Sequence, residues 1–312
     1  MIFFRIFTLS FLFIFLNPVM GSFNRDIWRY HYNLKDIKKL FYHENKLYCF
    51  ADKGFFYLDL ESRNIIKNSV DLILSGIEVI ESLKYNNYLV FIYSSGSIDF
   101  IKGNDVHTIN LDISKNTTIN SAKKHGNNIY ISTSDGIFIV DAENKTIKEK
   151  YEYIYNSSNK ISVSFLDFFD DKIYVASSEN IYISDLKTSN LQDYSSWNKL
   201  SFFNDSILGS YTIDNEIYFY SSNSIFSVTG NNLDLKIEGD ILSLKTFNNF
   251  LYILYRKDQS LFLSYWDKKS DIIDLKLPQD LFVNDFNFYD ENIWVVGNSF
   301  SLYNLDNQIF YS

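Results

Sequence analysis

One short phrase recurs seven times along this chain, and it constrains the possible fold more than any other feature. Its clearest copy is NNIYISTSDGIFIVD, residues 127–141, in which two apolar runs are joined by the turn Ser134-Asp135-Gly136. A Gly after Asp accepts the positive φ of a tight hairpin, so we expect strands at Ile129–Thr133 and Ile137–Val140. Both runs are apolar at nearly every position, which is typical of strands that are covered on both faces.

The other copies follow at a nearly constant period of 34 to 44 residues. The copies begin at Leu47, Leu89, Ile129, Ile173, Ile217, Leu251 and Ile293. The seventh residue after the first three of these positions is Gly (Gly54, Gly96 and Gly136), and in the fourth copy it is Asn180, a residue that tolerates left-handed turns.

Each copy is preceded by another apolar run and followed by a more polar one. The preceding runs are Ile37–His43, Val79–Tyr85, Ile119–Lys123, Val163–Phe169, Ile207–Ile213, Ile241–Phe247 and Val283–Tyr289. Four strands in about 40 residues is the size of a propeller blade. A β-helix would have shorter repeats, and a sandwich would show no constant period.

The sequence therefore predicts an all-β fold, a single seven-bladed β-propeller of four-stranded blades spanning residues 22–312. The aromatic content of 18% suits this fold, because the wedge-shaped gaps between blades need large side chains. Residues 26–33, DIWRYHYN, are a candidate to pair with the last blade and close the ring.

Residues 1–21 have the pattern of a secretory signal peptide. Arg5 supplies the positive charge, Ile6–Leu16 is the apolar stretch, and Val19-Met20-Gly21 resembles a cleavage site. The apolar stretch is shorter than the roughly 20 residues that span a bilayer. We expect an exported protein whose mature chain has no transmembrane span, and a retained N-terminal anchor is the alternative.

Composition and motifs argue against several classes of function. A net charge of −9 disfavours nucleic acid as a partner. Cys49 is the single cysteine and is expected to be a buried, inert thiol, and the four His have no metal-binding spacing. We therefore predict no catalytic, cofactor-binding or metal-binding residues. The recurring acids Asp59, Asp99, Asp141 and Asp185 are expected at strand ends, accepting turn N–H bonds.

Several motifs occur in an order that is similar to that of a known family. They are Trp28-Arg29-Tyr30-His31-Tyr32, Leu74-Ser75-Gly76, the block Tyr93-Ser94-Ser95-Gly96-Ser97-Ile98-Asp99, Gly136–Asp141 and Trp197. Over residues 24–200 this order resembles the N-terminal β-propeller of the PorZ family, components of the type IX secretion system of Bacteroidetes. Family members carry a second propeller and a C-terminal domain, so the resemblance implies a reduced relative or a fragment of a split protein.

The resemblance implies a non-enzymatic binding scaffold of the attachment complex, located in the periplasm, at the outer-membrane periphery or on the cell surface. Its expected partners are envelope proteins of the secretion machinery, with lipopolysaccharide or another glycan as a further class. Trp28 and Trp197 are the candidate binding residues, and burial between blades is the alternative for each. Two other functions stay open: an extracellular sensor-type propeller that binds a glycan or another ligand, and a hydrolase or lyase centred on an acid pair in the channel.

Overall fold

The computed structural model describes most of the chain after residue 36. The described residues are 37–51, 54–67, 74–155, 160–177, 180–187, 190–201, 206–213, 216–227, 235–266, 272–275, 277, 282–297, 302–306 and 309–311. The predicted signal peptide, Trp28 and the proposed closing segment 26–33 lie outside them.

The described strands form seven four-stranded antiparallel sheets, each built from four strands that are consecutive in the chain. Blades 1 to 3 contain β1 (Ile37–His43), β2 (Lys46–Ala51), β3 (Gly54–Asp59), β4 (Asn64–Lys67), β5 (Val79–Tyr85), β6 (Tyr88–Tyr93), β7 (Ser97–Lys102), β8 (Asp105–Asn110), β9 (Ile119–His125), β10 (Asn128–Thr133), β11 (Gly136–Asp141) and β12 (Thr146–Tyr151).

The remaining four blades repeat this order. They contain β13 (Phe165–Phe169), β14 (Lys172–Ser177), β15 (Asn180–Asp185), β16 (Asn198–Ser201), β17 (Gly209–Ile213), β18 (Glu216–Tyr220), β19 (Ser224–Ser227), β20 (Leu235–Lys236), β21 (Asp240–Phe247), β22 (Phe250–Lys257), β23 (Ser260–Trp266), β24 (Ile273–Leu275), β25 (Val283–Tyr289), β26 (Asn292–Gly297), β27 (Leu302–Asn304) and β28 (Ile309–Tyr311). The fold is the predicted all-β, seven-bladed propeller. Within the described residues, no helix is long and apolar enough to cross a membrane.

The central repeat forms the hairpin that its sequence predicts. Strand β10 pairs with β11 from Asn128 opposite Asp141 to Thr133 opposite Gly136, without a register shift. Gly136 has a φ of +113°, so the expected left-handed residue stands at the predicted place.

The first two strands of several blades are joined by two-residue turns with positive φ at both positions. The pairs are Glu44-Asn45, Asp170-Asp171, Asn248-Asn249 and Asp290-Glu291. Two consecutive left-handed residues define a type I′ turn, whose twist matches that of the adjoining strands. These turns fix the register of the two innermost strands in each of these blades.

The core of the described part of the chain consists of seven apolar clusters, and each cluster joins two neighbouring blades. Between blades 1 and 2, for example, the rings of Phe50 and Phe91 meet edge to face at 5.0 Å. Cys49 is buried between blades 7 and 1, as expected, and burial raises the pKa of its thiol. Because both faces of each sheet are covered, the strands need apolar residues at consecutive positions.

Among the described strands, none is exchanged between the two ends of the ring. All four strands of blade 7 come from residues 283–311, and all four strands of blade 1 come from residues 37–67. Side chains of β25 join the two blades instead: Asp285 accepts the Leu40 N–H at 3.0 Å, and Asn287 donates to the Leu40 carbonyl at 3.0 Å. Closure therefore depends on side-chain bonds and on the apolar cluster between these blades.

Candidate functional site

The face at which the first strand of each blade begins is called the upper face here. In five blades this strand has a β-bulge near its start, at its second residue in blades 1, 2, 3 and 7 and at its third residue in blade 6. The residues at the bulges are Lys38, Ile80, Asn120, Leu242 and Asn284. A bulge places two residues opposite one partner residue and changes the direction of the side chain. The bulge residues therefore shape the rim of the central channel.

Polar residues at this second position connect neighbouring blades. Asn120 donates to the Val163 carbonyl of blade 4 at 2.7 Å, and Asn284 donates to the Ile37 carbonyl of blade 1 at 2.8 Å. Between blades 1 and 2 the position is occupied by Lys38, which makes no such bond among the described residues. The boundary between blades 1 and 2 therefore lacks this hydrogen bond at the upper face.

A cleft of about 560 Å³ lies at this boundary. It is lined by Lys38, Lys39, Phe50 and Ala51 of blade 1 and by Ile77, Glu78, Val79 and Ile80 of blade 2. Phe50, Ala51 and Val79 are buried and form an apolar floor, while the side chain of Ile77 is 41% exposed. The cleft combines apolar surface with charges at its rim, and its volume is in the range of ligand-binding clefts.

Asp99 fixes the loop that forms the blade 2 wall of this cleft. Its carboxylate is fully buried and accepts hydrogen bonds from the Ser75 N–H at 2.7 Å, the Tyr93 hydroxyl at 2.9 Å and the Thr108 hydroxyl at 2.7 Å. The Ser75 hydroxyl also contacts this carboxylate. Gly76 packs directly on the Tyr93 ring, where an added Cβ would lie 2.9 Å from a ring carbon. The wall is therefore held by the residues of the Tyr93–Asp99 block.

The position of Asp99 corrects one expectation from the sequence. Asp59, Asp141 and Asp185 stand at strand ends and accept turn N–H groups, as predicted, from Ser62, Asn144 and Lys187. Asp99 instead lies in the middle of β7 and binds a loop 24 residues earlier in the chain. Its equivalent at the strand end is Lys102, so the prediction of a strand-end role for Asp99 was wrong.

Further apolar side chains are exposed at the upper face around the channel. Leu208 directly precedes the innermost strand of blade 5, Leu242 lies at the bulge of the innermost strand of blade 6, and Phe282 directly precedes blade 7 and is 62% exposed. Such residues on a rigid rim are typical of surfaces that contact other macromolecules.

Charges from the innermost strands converge on the central channel. Lys123 of blade 3 lies 3.5 Å from Asp167 of blade 4, and Lys245 of blade 6 lies 2.8 Å from Asp285 of blade 7. Two of the channel carboxylates are thus each paired with a lysine of the preceding blade, and neither is paired with another acid. This arrangement neutralises charge at the blade boundaries.

The third channel carboxylate, Glu81, lies among groups from several blades. Burial raises the pKa of its carboxyl, opposed by the charges of Lys123 and Lys39. Burial, with the Glu81 charge as a second cause, raises the pKa of Tyr220 to about 12. The Tyr220 ring occupies the space beside Gly209, where a Cβ would lie 2.5 Å from it.

The structure places Trp197, one of the two candidate binding residues, in the core. Its side chain is 2% exposed, and the indole N–H donates to the Leu191 carbonyl at 3.1 Å. Trp197 is thus buried between blades, which was the alternative for this residue. A binding role of Trp197 stays a prediction. Trp28 lies outside the described residues. Among the described residues, no group of three or more His, Cys, Asp or Glu could hold a metal ion.

Sequence reasoning missed Lys38 and Lys39 as site residues. A signal was present, because Asn120 and Asn284 occupy the position of Lys38 in other blades. Aligning the first strands by their bulges would have shown Lys38 as the charged residue among Ile80, Asn120, Leu242 and Asn284.

We expect Asp99→Asn to loosen the wall of the cleft more than it destabilises the propeller. Asn keeps one oxygen but loses the charge that strengthens four hydrogen bonds, so the free energy of unfolding should fall by about 1–2 kcal/mol. Amide exchange at residues 74–78 should accelerate well beyond that of β10. Uniform acceleration across all blades would contradict a local role of Asp99.

Comparison with known proteins agrees with this architecture. The chain resembles the structure of PorZ from Porphyromonas gingivalis, described as an essential bacterial surface component of the type IX secretion system, with a TM-score of 0.69 and 18% identity over 86% of this chain and 36% of that one. The extracellular domain of a one-component system, BT4673 from B. thetaiotaomicron, gives a TM-score of 0.64 and 13% identity, covering 89% and 41% of the two chains. The designed protein Ika8 gives a TM-score of 0.59 and 13% identity, covering 85% of this chain and 94% of that one.

At these identities the structures show the fold alone, and the chain spans less than half the length of the two natural proteins. No curated protein matches the sequence. The family model of the type IX secretion system PorZ N-terminal β-propeller domain, however, matches residues 32–198. This match covers more than half of the chain, including both walls of the cleft. The chain therefore belongs to the family of the PorZ N-terminal β-propeller domain.

Proposed function

We propose that this protein is a non-enzymatic binding scaffold of the cell envelope that works with components of the type IX secretion system. The observation that carries the proposal is the family match over residues 32–198, which includes the cleft between blades 1 and 2. Envelope proteins of the secretion machinery are the proposed partners. Lipopolysaccharide or another glycan is a second class of partner.

The geometry of the upper face supports a binding role. The wall of the cleft is fixed by Asp99, and exposed apolar side chains such as Phe282 stand on the ends of packed strands. A surface that is already ordered loses little conformational entropy on binding, so an interface of about 1,600 Å² can be specific.

The channel charges support a scaffold rather than an enzyme. An acid pair would be expected for hydrolase or lyase chemistry in the channel, whereas Asp167 and Asp285 are each paired with a lysine. Export to the periplasm, the outer-membrane periphery or the cell surface is part of the proposal, and it rests on the signal-peptide pattern of residues 1–21.

The proposal predicts that deleting the gene lowers the amount of secreted cargo displayed on the cell surface, and that the intact gene restores it. In wild-type cells, chemical crosslinking of the tagged protein should recover envelope proteins of the secretion machinery. The mass of the recovered protein also tests removal of residues 1–21. Normal cargo display without such crosslinks would contradict the proposal, and crosslinks to a signalling protein would favour a sensor.

A further inference from the structure

We infer that the cleft between blades 1 and 2 binds an extended segment of a partner polypeptide in which apolar side chains adjoin acidic ones. The inference rests on the proposed function, because it names the kind of partner segment that the scaffold recognises. It is carried by the charges, the apolar floor and the rigidity of the cleft.

The charges at the rim favour an anionic segment. The register shifts between Ile37 and Lys39, and this bulge lets the two consecutive lysines Lys38 and Lys39 line the same cleft. In the part of the chain that the structure describes, neither lysine has a carboxylate within 4.0 Å. The one acid of the cleft, Glu78, accepts a hydrogen bond from the Ser94 hydroxyl at 2.6 Å. With two lysines and one glutamate in its lining, the cleft carries a net charge of +1 on a protein of net charge −9, and this excess positive charge complements carboxylates.

The floor favours apolar side chains between or beside these carboxylates. Phe50 and Val79 form the buried base, and the exposed side chain of Ile77 stands beside them. A partner side chain that covers Ile77 removes apolar surface from water, which favours binding. A volume of about 560 Å³ accepts a few residues of an extended chain rather than a folded domain.

Both sides of the cleft are held before a partner arrives. On the blade 1 side, Phe50 packs against Phe91 with a ring-centre distance of 5.0 Å. On the blade 2 side, Ser94 N–H donates to the Glu78 carbonyl at 3.0 Å, next to the loop that Asp99 anchors. A segment that binds here orders itself but not the protein, which favours a linear peptide as ligand.

The test uses an array of eight-residue peptides, each with two Leu or Ile residues and two Asp residues, and a second array in which Lys replaces Asp. The purified protein should bind members of the acidic array at least tenfold more tightly than their Lys counterparts. The double variant Lys38→Glu/Lys39→Glu should lose at least tenfold in affinity for the acidic peptides. Lys38→Asn should also weaken binding, because Asn can close the boundary as Asn120 and Asn284 do elsewhere.

The matched control is Lys84→Glu/Lys124→Glu, which makes the same charge change at exposed positions at the other ends of β5 and β9. It should leave peptide binding unchanged, and thermal melting should show that both double variants are folded. Equal binding of both arrays, binding by neither array, or equal loss in the two double variants would overturn the inference. Recovery of envelope proteins by crosslinking would then still support the proposed function through another part of the surface.

Discussion

Asp285→Ala is expected to lower the free energy of unfolding by about 2–4 kcal/mol, because it removes a buried carboxylate that connects the two ends of the ring. The side chain is 6% exposed and accepts the Leu40 N–H at 3.0 Å across the boundary between blades 7 and 1. It also pairs with Lys245 of blade 6 at 2.8 Å. Alanine would leave the Leu40 N–H and a half-buried ammonium group without this partner.

Urea unfolding of the purified propeller measures the effect. The free energy of unfolding of Asp285→Asn should lie between those of the wild type and Asp285→Ala, since Asn keeps an oxygen for the Leu40 N–H but has no charge for Lys245. The control is Asp112→Ala, which removes an exposed carboxylate and should change stability by less than about 0.5 kcal/mol. Equal stabilities of Asp285→Ala and Asp112→Ala would show that the carboxylate does not hold the ring closed.

The propeller itself could be predicted because its determinants are local and repeated. Each blade carries its own hairpin turns, and the continuous apolar runs, such as Ile129–Thr133, report burial on both faces. Seven copies of one pattern confirm each other, so an irregular copy does not obscure the period. The boundaries of several strands shifted by one or two residues, as in β13, which begins at Phe165 rather than Val163.

The cleft could not be predicted in the same way, because it arises where the repeat is broken. Its lining includes Lys38, which stands where Asn120 and Asn284 connect other blades. It also depends on the pairing of Asp99 with a loop 24 residues away. Trp197, a candidate binding residue with burial between blades as its alternative, is enclosed in the core, because a large ring fills the gap between blades efficiently.

The Gly at the seventh position of the repeat should differ in importance from copy to copy, according to what surrounds it. At Gly136 a Cβ would lie 2.1 Å from the Tyr151 carbonyl oxygen, which belongs to the neighbouring strand and cannot move without breaking the sheet. At Gly96 the atom in the way is the side-chain end of Ile113, at 2.7 Å. Gly126, in a lower turn with a φ of +58°, has no atom within 4 Å of the added carbon.

We therefore expect Gly136→Ala to lower the free energy of unfolding by about 3–5 kcal/mol, since it combines backbone strain with a main-chain clash. Gly126→Ala should lower the free energy of unfolding by about 1 kcal/mol or less, because the cost of placing alanine in a left-handed conformation is partly offset by the lower flexibility of the unfolded chain. The loss in free energy of unfolding for Gly96→Ala should lie between these two values, because the Ile113 side chain can change its rotamer to make room. Urea unfolding of the three variants gives this order directly. Equal losses at Gly136 and Gly126 would mean that positive φ alone, and not the approach of the Tyr151 carbonyl, requires glycine in the repeat.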